Sequence, residues 1–264
     1  MKKLLLIIMT ILPLLANADS VEVDGIYYTL TPETKSAYVV MNPNKYSGNV
    51  VVPESIIYNN ESYSVTLVQS YAFNSCPELT SVVLPNSVTE LGYFAFALSP
   101  ALTSVKFPDN LTTLSFGVFL QCTGLTSAPI PSSIKTIEDY AFQNCTGLTS
   151  VIIPDNVTSI GNWAFENCSN LSSVTVSESV THVGCYAFEE TAWYESQPDG
   201  PIYVGKVLNK IKGDDYFFTH NNFEIKDGTV SISLDAFLNG MGLNSVKIPN
   251  SVVSIDNRAF EDCI

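Results

Sequence analysis

Phenylalanine recurs every 23 residues along this chain, at Phe73, Phe96, Phe119, Phe142, Phe165 and Phe188, and again at Phe237 and Phe260. Pro85, Pro108, Pro131 and Pro154 keep the same step, as do Leu79, Leu102, Leu125, Leu148 and Leu171. A fixed period of this length marks a repeat array, in which each unit buries its apolar face only against its neighbours. The period therefore argues against a domain with one central core and predicts a solenoid.

The copy LTSVIIPDNVTSIGNWAFENCSN (148–170) shows how one coil is built. Leu148, Val151 and Ile153 alternate with Ser150, Ile152 and Pro154. That pattern predicts a strand with the first set pointing inward and the second outward. Val157 and Ile160 mark a second short strand, also facing in. The A-F-x-x-C stretch is too short for a stable helix and predicts a single helical or 3₁₀ turn. The expected fold is a β-rich solenoid with a parallel sheet face, short helical turns and an N-terminal β cap.

The array occupies only part of the chain. Lys2 and Lys3, the apolar run Leu4 to Leu12 and Ala16-Asn17-Ala18 read as a signal peptide over 1–18, with the mature chain starting at Asp19. The apolar run is shorter than the roughly 20 residues that span a bilayer. Residues 19–70 are β-rich outside the period and read as the cap that a first coil needs. The repeat runs through 71–188 and breaks at Glu189. An insertion follows over 189–228, with a turn at Pro198-Asp199-Gly200 and a hairpin at 202–213. The repeat resumes over 229–264 and stops within a unit at Ile264, so a missing C-terminal cap or further domains are expected beyond it.

The unit L-x-x-V-x-I-P-x-x-V-T-x-I-G-x-x-A-F-x-x-C resembles the BspA-like leucine-rich repeat, also called the Treponema pallidum type. LTSVVLPNSVTELGYFAFALS (79–99), LTSVIIPDNVTSIGNWAFENC (148–168) and LNSVKIPNSVVSIDNRAFEDC (243–263) all fit it. Val118 in place of Ala, Ser99 and Thr191 in place of Cys, and Ser177 in place of Pro depart from it. The resemblance implies a leucine-rich-repeat solenoid that is secreted or displayed on a cell surface. It also implies non-catalytic, adhesin-like binding of host or extracellular-matrix glycoproteins.

Little in the chain points to chemistry. Cys76, Cys122, Cys145, Cys168 and Cys263 share one position of the unit. Coils about 4.8 Å apart bring stacked thiols within disulfide reach, but a buried ladder also needs a small apolar residue at each level, and free core thiols are the reading preferred. Cys185 lies outside that register and is expected at the surface. His182 and His220 belong to no ligand or catalytic pattern. No nucleophile elbow or metal spacing occurs, so neither an enzyme nor a cofactor is expected. Asn-x-Ser/Thr sequons arise from the repeat consensus itself and carry little information. Loss of Lys2 and Lys3 takes the formal charge from −14 to −16. Such a surface disfavours nucleic acid and anionic membrane.

Two outward features remain as candidate sites. Tyr71, Phe94, Tyr140, Trp163 and Tyr186 precede the marker alanine and would align as a row, broken at Gly117. Such a row suits a glycan or a protein partner, although shielding of the strand beneath is the plainer reading. The outward face of the first strand, with Ser81, Val83, Lys106, Ser150 and Ile152, is nearly uncharged and suits a protein partner along the solenoid. A passive structural surface protein is the third reading.

Overall fold

The computed structural model describes residues 20–213 and 216–263. The expected signal peptide and its cleavage site lie outside the described residues. The protein is a β-solenoid in which successive 23-residue coils stack their strands into two parallel rows. The first row includes Leu79–Val83 beside Ser104–Lys106, and Ser150–Ile153 beside Ser173–Val176. The second runs through Thr113–Leu114, Thr136–Ile137, Ser159–Ile160 and His182–Val183. Every pairing in these runs joins residues 23 apart, such as Ile137 with Ile160, so equivalent side chains stack on one another.

Local chemistry explains the corners. The Pro154 carbonyl accepts the Val157 N–H at 3.1 Å, closing the turn between the strands. The consensus glycine after the second strand sits against the coil before it. At Gly161 a Cβ would lie 2.5 Å from the Asp139 backbone nitrogen, closer than any side chain tolerates.

The A-F-x-x-C stretch is not the helical turn that its length suggests. Tyr140 and Asn144 have left-handed backbones, with φ of 61° and 60°. The N–H groups of Tyr140, Phe142 and Asn144 donate to the carbonyls of Asn162, Ala164 and Glu166 at 2.9, 2.7 and 2.9 Å. A helix would keep those N–H groups within its own turn; here they join neighbouring coils and form a third ladder. Its polarity is reversed. In the second strand row the later coil donates, as from Gly161 N–H to the Ile137 carbonyl at 2.8 Å, whereas in the turn ladder the earlier coil donates. Helices among the described residues are Ala192–Glu195 and Tyr216–Thr219, both between the two runs of repeats.

Stacked side chains fill the interior. The rings of Phe73, Phe96, Phe119, Phe142, Phe165 and Phe188 lie 5.1–5.3 Å apart with planes 5–21° from parallel. At the N-terminal end Tyr46 covers Phe73, with ring centroids 4.7 Å apart. The strand Ser36–Val39 pairs parallel with Glu61–Val68, which in turn pairs with Glu90–Leu91. The N-terminal sheet thus takes in the first rung at the second-row position and ends there, and a separate sheet begins at Thr113–Leu114. Trp193 meets Phe188 edge-on at 5.4 Å and closes the ladder, and Phe217 stacks on Phe237 at 5.9 Å and restarts it. The core is accordingly two apolar clusters, one reaching Val207 and the other beginning at Leu208. Between them, Gly200–Val204 and Val207–Lys212 form an antiparallel hairpin whose second strand pairs with Ser231–Ile232.

The six cysteines are free. The thiols of Cys122, Cys145 and Cys168 donate to the carbonyls of Phe96, Phe119 and Phe142 at 3.0, 3.0 and 3.1 Å. Ser99 serves the same purpose, donating to the Phe73 carbonyl at 2.8 Å. The position therefore selects a small side chain with one donor. Cys185, expected at the surface, is buried at 9% exposure, and its thiol bonds to Asn162 Oδ1 at 3.1 Å. Its backbone N–H also donates to Asn162 Oδ1, at 2.9 Å, so Asn162 holds it inward.

Burial pushes the Cys122 and Cys168 thiols up to about 12 and Cys145 well above its ordinary value. An unfolded thiol ionises near pH 8.5. The stacked thiols thus contribute stability that is fully present below pH 8.5 and is lost as pH rises toward about 12, because only the unfolded chain can release those protons in that window. Denaturation midpoints should fall between pH 9 and 11 in the parent. Replacing Cys122, Cys145 and Cys168 together by serine should flatten that fall, and an unchanged slope would refute the assignment.

Candidate functional site

The first-strand face is built from three outward positions per coil. Thr149, Ser150 and Ile152 point out of one rung while Leu148, Val151 and Ile153 are buried beneath them. The equivalent residues are Ser81 and Val83, half-buried, and Ser104 and Lys106, exposed. Ile152 is 70% exposed and Val51, on the neighbouring rung of Val83, is 57% exposed. The Ser81 hydroxyl donates to Asn49 Oδ1 at 2.6 Å. Lys106 makes no ion pair among the described residues.

This face is not the uninterrupted sheet that the repeat suggests. On this face the coil with Pro129 and Pro131 forms no strand and meets the next coil at one bridge, Ser127 to Ser150. Proline has no N–H for a ladder. The face is thus divided into a patch of Val51, Val83 and Lys106 and a second patch around Ile152 and Thr175. Pro108, the coil equivalent of the outward Pro154, is buried.

The aromatic row does align. Tyr71 stacks on Phe94 at 5.3 Å, Tyr140 on Trp163 at 5.0 Å and Trp163 on Tyr186 at 6.0 Å, with planes 11–18° apart. The gap at Gly117 is filled by the ring of Phe116, 5.2 Å from Phe94 and 5.1 Å from Tyr140. All five row residues have left-handed φ of 54–64°. Burial of these half-covered rings raises the hydroxyl pKa of Tyr71, Tyr140 and Tyr186. Ring faces lie against one another in the Tyr71–Phe94 pair and along Tyr140, Trp163 and Tyr186, while Phe116 meets Phe94 edge-on between the two runs. Stacking on a sugar requires an open ring face, and the Tyr186 end is covered as well, by Lys210 at 5.2 Å.

His182 is exposed, and His220 stacks on Tyr216 at 4.2 Å. Among the described residues no three His, Cys, Asp or Glu side chains gather as metal ligands would. No helix among them is long and apolar enough to cross a membrane.

The sequence profile of the BspA type leucine rich repeat region matches in six copies over residues 66–194 and 213–264. The chain belongs to the BspA-type leucine-rich repeat family. Among solved structures, the BspA-type chain is similar to a leucine rich cell surface protein from Faecalibacterium prausnitzii A2-165, at 25% identity and a TM-score of 0.57, covering 92% of this chain and 74% of that one. It shares its fold with a leucine-rich repeat protein from Eubacterium ventriosum ATCC 27560, at 22% identity and a TM-score of 0.53, covering 72% and 53% of the two chains. No curated protein matches the sequence.

Two features of this BspA-type solenoid escape sequence reading. Beyond the hairpin the row position is taken by Asp235 and Arg258, joined at 3.2 Å, and the Tyr186 hydroxyl reaches Asp235 at 3.5 Å. Continuing the 23-residue count to those residues would have found them. Lys210, which covers Tyr186 and pairs with Glu189 at 2.6 Å, carries no such signal because it comes from outside the period.

Proposed function

We propose that this protein is an exported, surface-displayed binding protein without catalytic activity, which recognises a host or extracellular-matrix glycoprotein through its first-strand face. The residues assigned to contact are Ser81, Val83, Lys106, Ser150 and Ile152. The observation carrying this reading is the exposure of Ile152 at 70% on a strand whose outward neighbours Ser150 and Thr175 are uncharged. A lone exposed apolar side chain is common, but one set on a flat hydroxyl-rich sheet beside a second patch with Val51 gives a partner two anchors. Export is supported by the leader-like N-terminus, and surface display by the description of the Faecalibacterium relative as a cell surface protein. In this reading Tyr71, Phe94, Tyr140, Trp163 and Tyr186 are structural, since their ring faces bind one another.

The test is binding of the purified protein to immobilised matrix glycoproteins, beside a variant with Ile152→Glu and Lys106→Glu. Saturable binding that weakens at least tenfold in the variant, with unchanged circular dichroism, is the expected result. Binding that survives the double change would remove the site from this face. Absence of binding by the parent would leave the passive structural reading in its place.

A further inference from the structure

Along one corner of the solenoid, three successive coils form a shallow groove. This groove of about 480 Å³ is lined by Leu98 and Pro100, Gln121 and Thr123, and Asn144 and Thr146, which are the same two positions in three successive coils. A second hollow of about 270 Å³ lies toward the cap, against Asn44, Lys45, Tyr46, Ser47, Pro77 and Glu78. Pro77 is the coil equivalent of Pro100, so both hollows lie on one edge.

From this trough we infer a binding site for an extended, neutral, β-linked oligosaccharide lying parallel to the solenoid axis. Three observations select that class of ligand. The groove has no charged side chain in a chain of net charge −14, which disfavours phosphates, nucleic acid and acidic sugars alike. Its polar groups are amides and hydroxyls without protein partners: the side chains of Gln121, Thr123 and Thr146 make no hydrogen bond among the described residues. Asn144 uses Oδ1 to accept from the Asn167 amide, which leaves its own Nδ2 free. The third observation is spacing. Phenylalanine ring centroids, one per coil, are 5.1–5.3 Å apart, and the paired strands beneath them set a coil spacing of about 4.8 Å. An extended peptide advances about 3.3 Å per residue and falls out of step with the coils. A β-linked pyranose chain advances by close to one coil per sugar, so each sugar meets an amide and a hydroxyl. Leu98 and Pro100 offer an apolar patch for a ring face at one end.

Gln121 and Asn144 have left-handed φ of 59° and 60°, so glycine removes either side chain without backbone strain. The experiment measures binding of cellohexaose, xylohexaose and N-acetylchitohexaose by isothermal titration, for the parent and for Gln121→Gly, Asn144→Gly and Thr146→Ala. The parent should bind at least one hexaose, with affinity rising from the trisaccharide to the hexasaccharide, and each variant should weaken it at least fivefold. Ile152→Glu should leave it unchanged, which keeps this site distinct from the protein-binding face. Failure of all three hexaoses to bind at millimolar concentration, or equal affinity in the groove variants, would overturn the inference.

Discussion

Phe142→Ala should destabilise the protein by about 3–5 kcal/mol, the range for removing a large aromatic side chain from a closed core. The ring is fully buried and stacked on both faces, 5.2 Å from Phe119 and 5.1 Å from Phe165. Alanine would leave a gap that neither neighbour can fill, because each is held at its own level by the hydrogen bonds of its coil. In an array where coils touch only their neighbours, the loss weakens the interfaces on both sides at once. Equilibrium denaturation in urea checks this. A loss below about 1 kcal/mol, the scale of an ordinary surface change, would show that the phenylalanine ladder is not what holds the coils together.

Gly117→Tyr should also destabilise, by about 2–4 kcal/mol, although it restores the aromatic residue that other coils carry at this position. A Cβ on Gly117 would lie 2.4 Å from the Phe94 ring, and the slot in the row is already held by Phe116. The new ring would have to displace Phe116 or leave the row. The double change Phe116→Asn with Gly117→Tyr copies the Asn162-Trp163 arrangement of a later coil and should recover the part of the loss due to Phe116, with Phe94 still having to shift. Thermal denaturation of the two variants gives the comparison, and equal destabilisation in both would show that crowding by Phe116 is not the cause.

The face and the row differ in how far they can be read from residues alone. Ser81, Val83, Lys106, Ser150 and Ile152 point outward as the alternation of the strand requires. Pro129 and Pro131 were visible in the sequence, but their effect, a face split in two, depends on which N–H groups the neighbouring rung needs. The row was legible as an alignment because any fixed position in a repeat must stack. Its meaning was not, since only the ring geometry shows that the faces are turned toward one another.

Periodicity by itself determined the solenoid, the 23-residue register and the identity of the stacked core, because an array repeats in space whatever it repeats in sequence. The tertiary structure decided what the period cannot encode. It turned A-F-x-x-C from a helical turn into a third hydrogen-bonded ladder, since those N–H groups find better-placed carbonyls in the next coil than in their own. It buried Cys185 against Asn162, and it placed Phe116 in the slot of Gly117 and Lys210 over Tyr186. Cys185 and Asn162 are one 23-residue period apart, yet which side chain turns toward which, here and at the other contacts, is selected only by the folded chain.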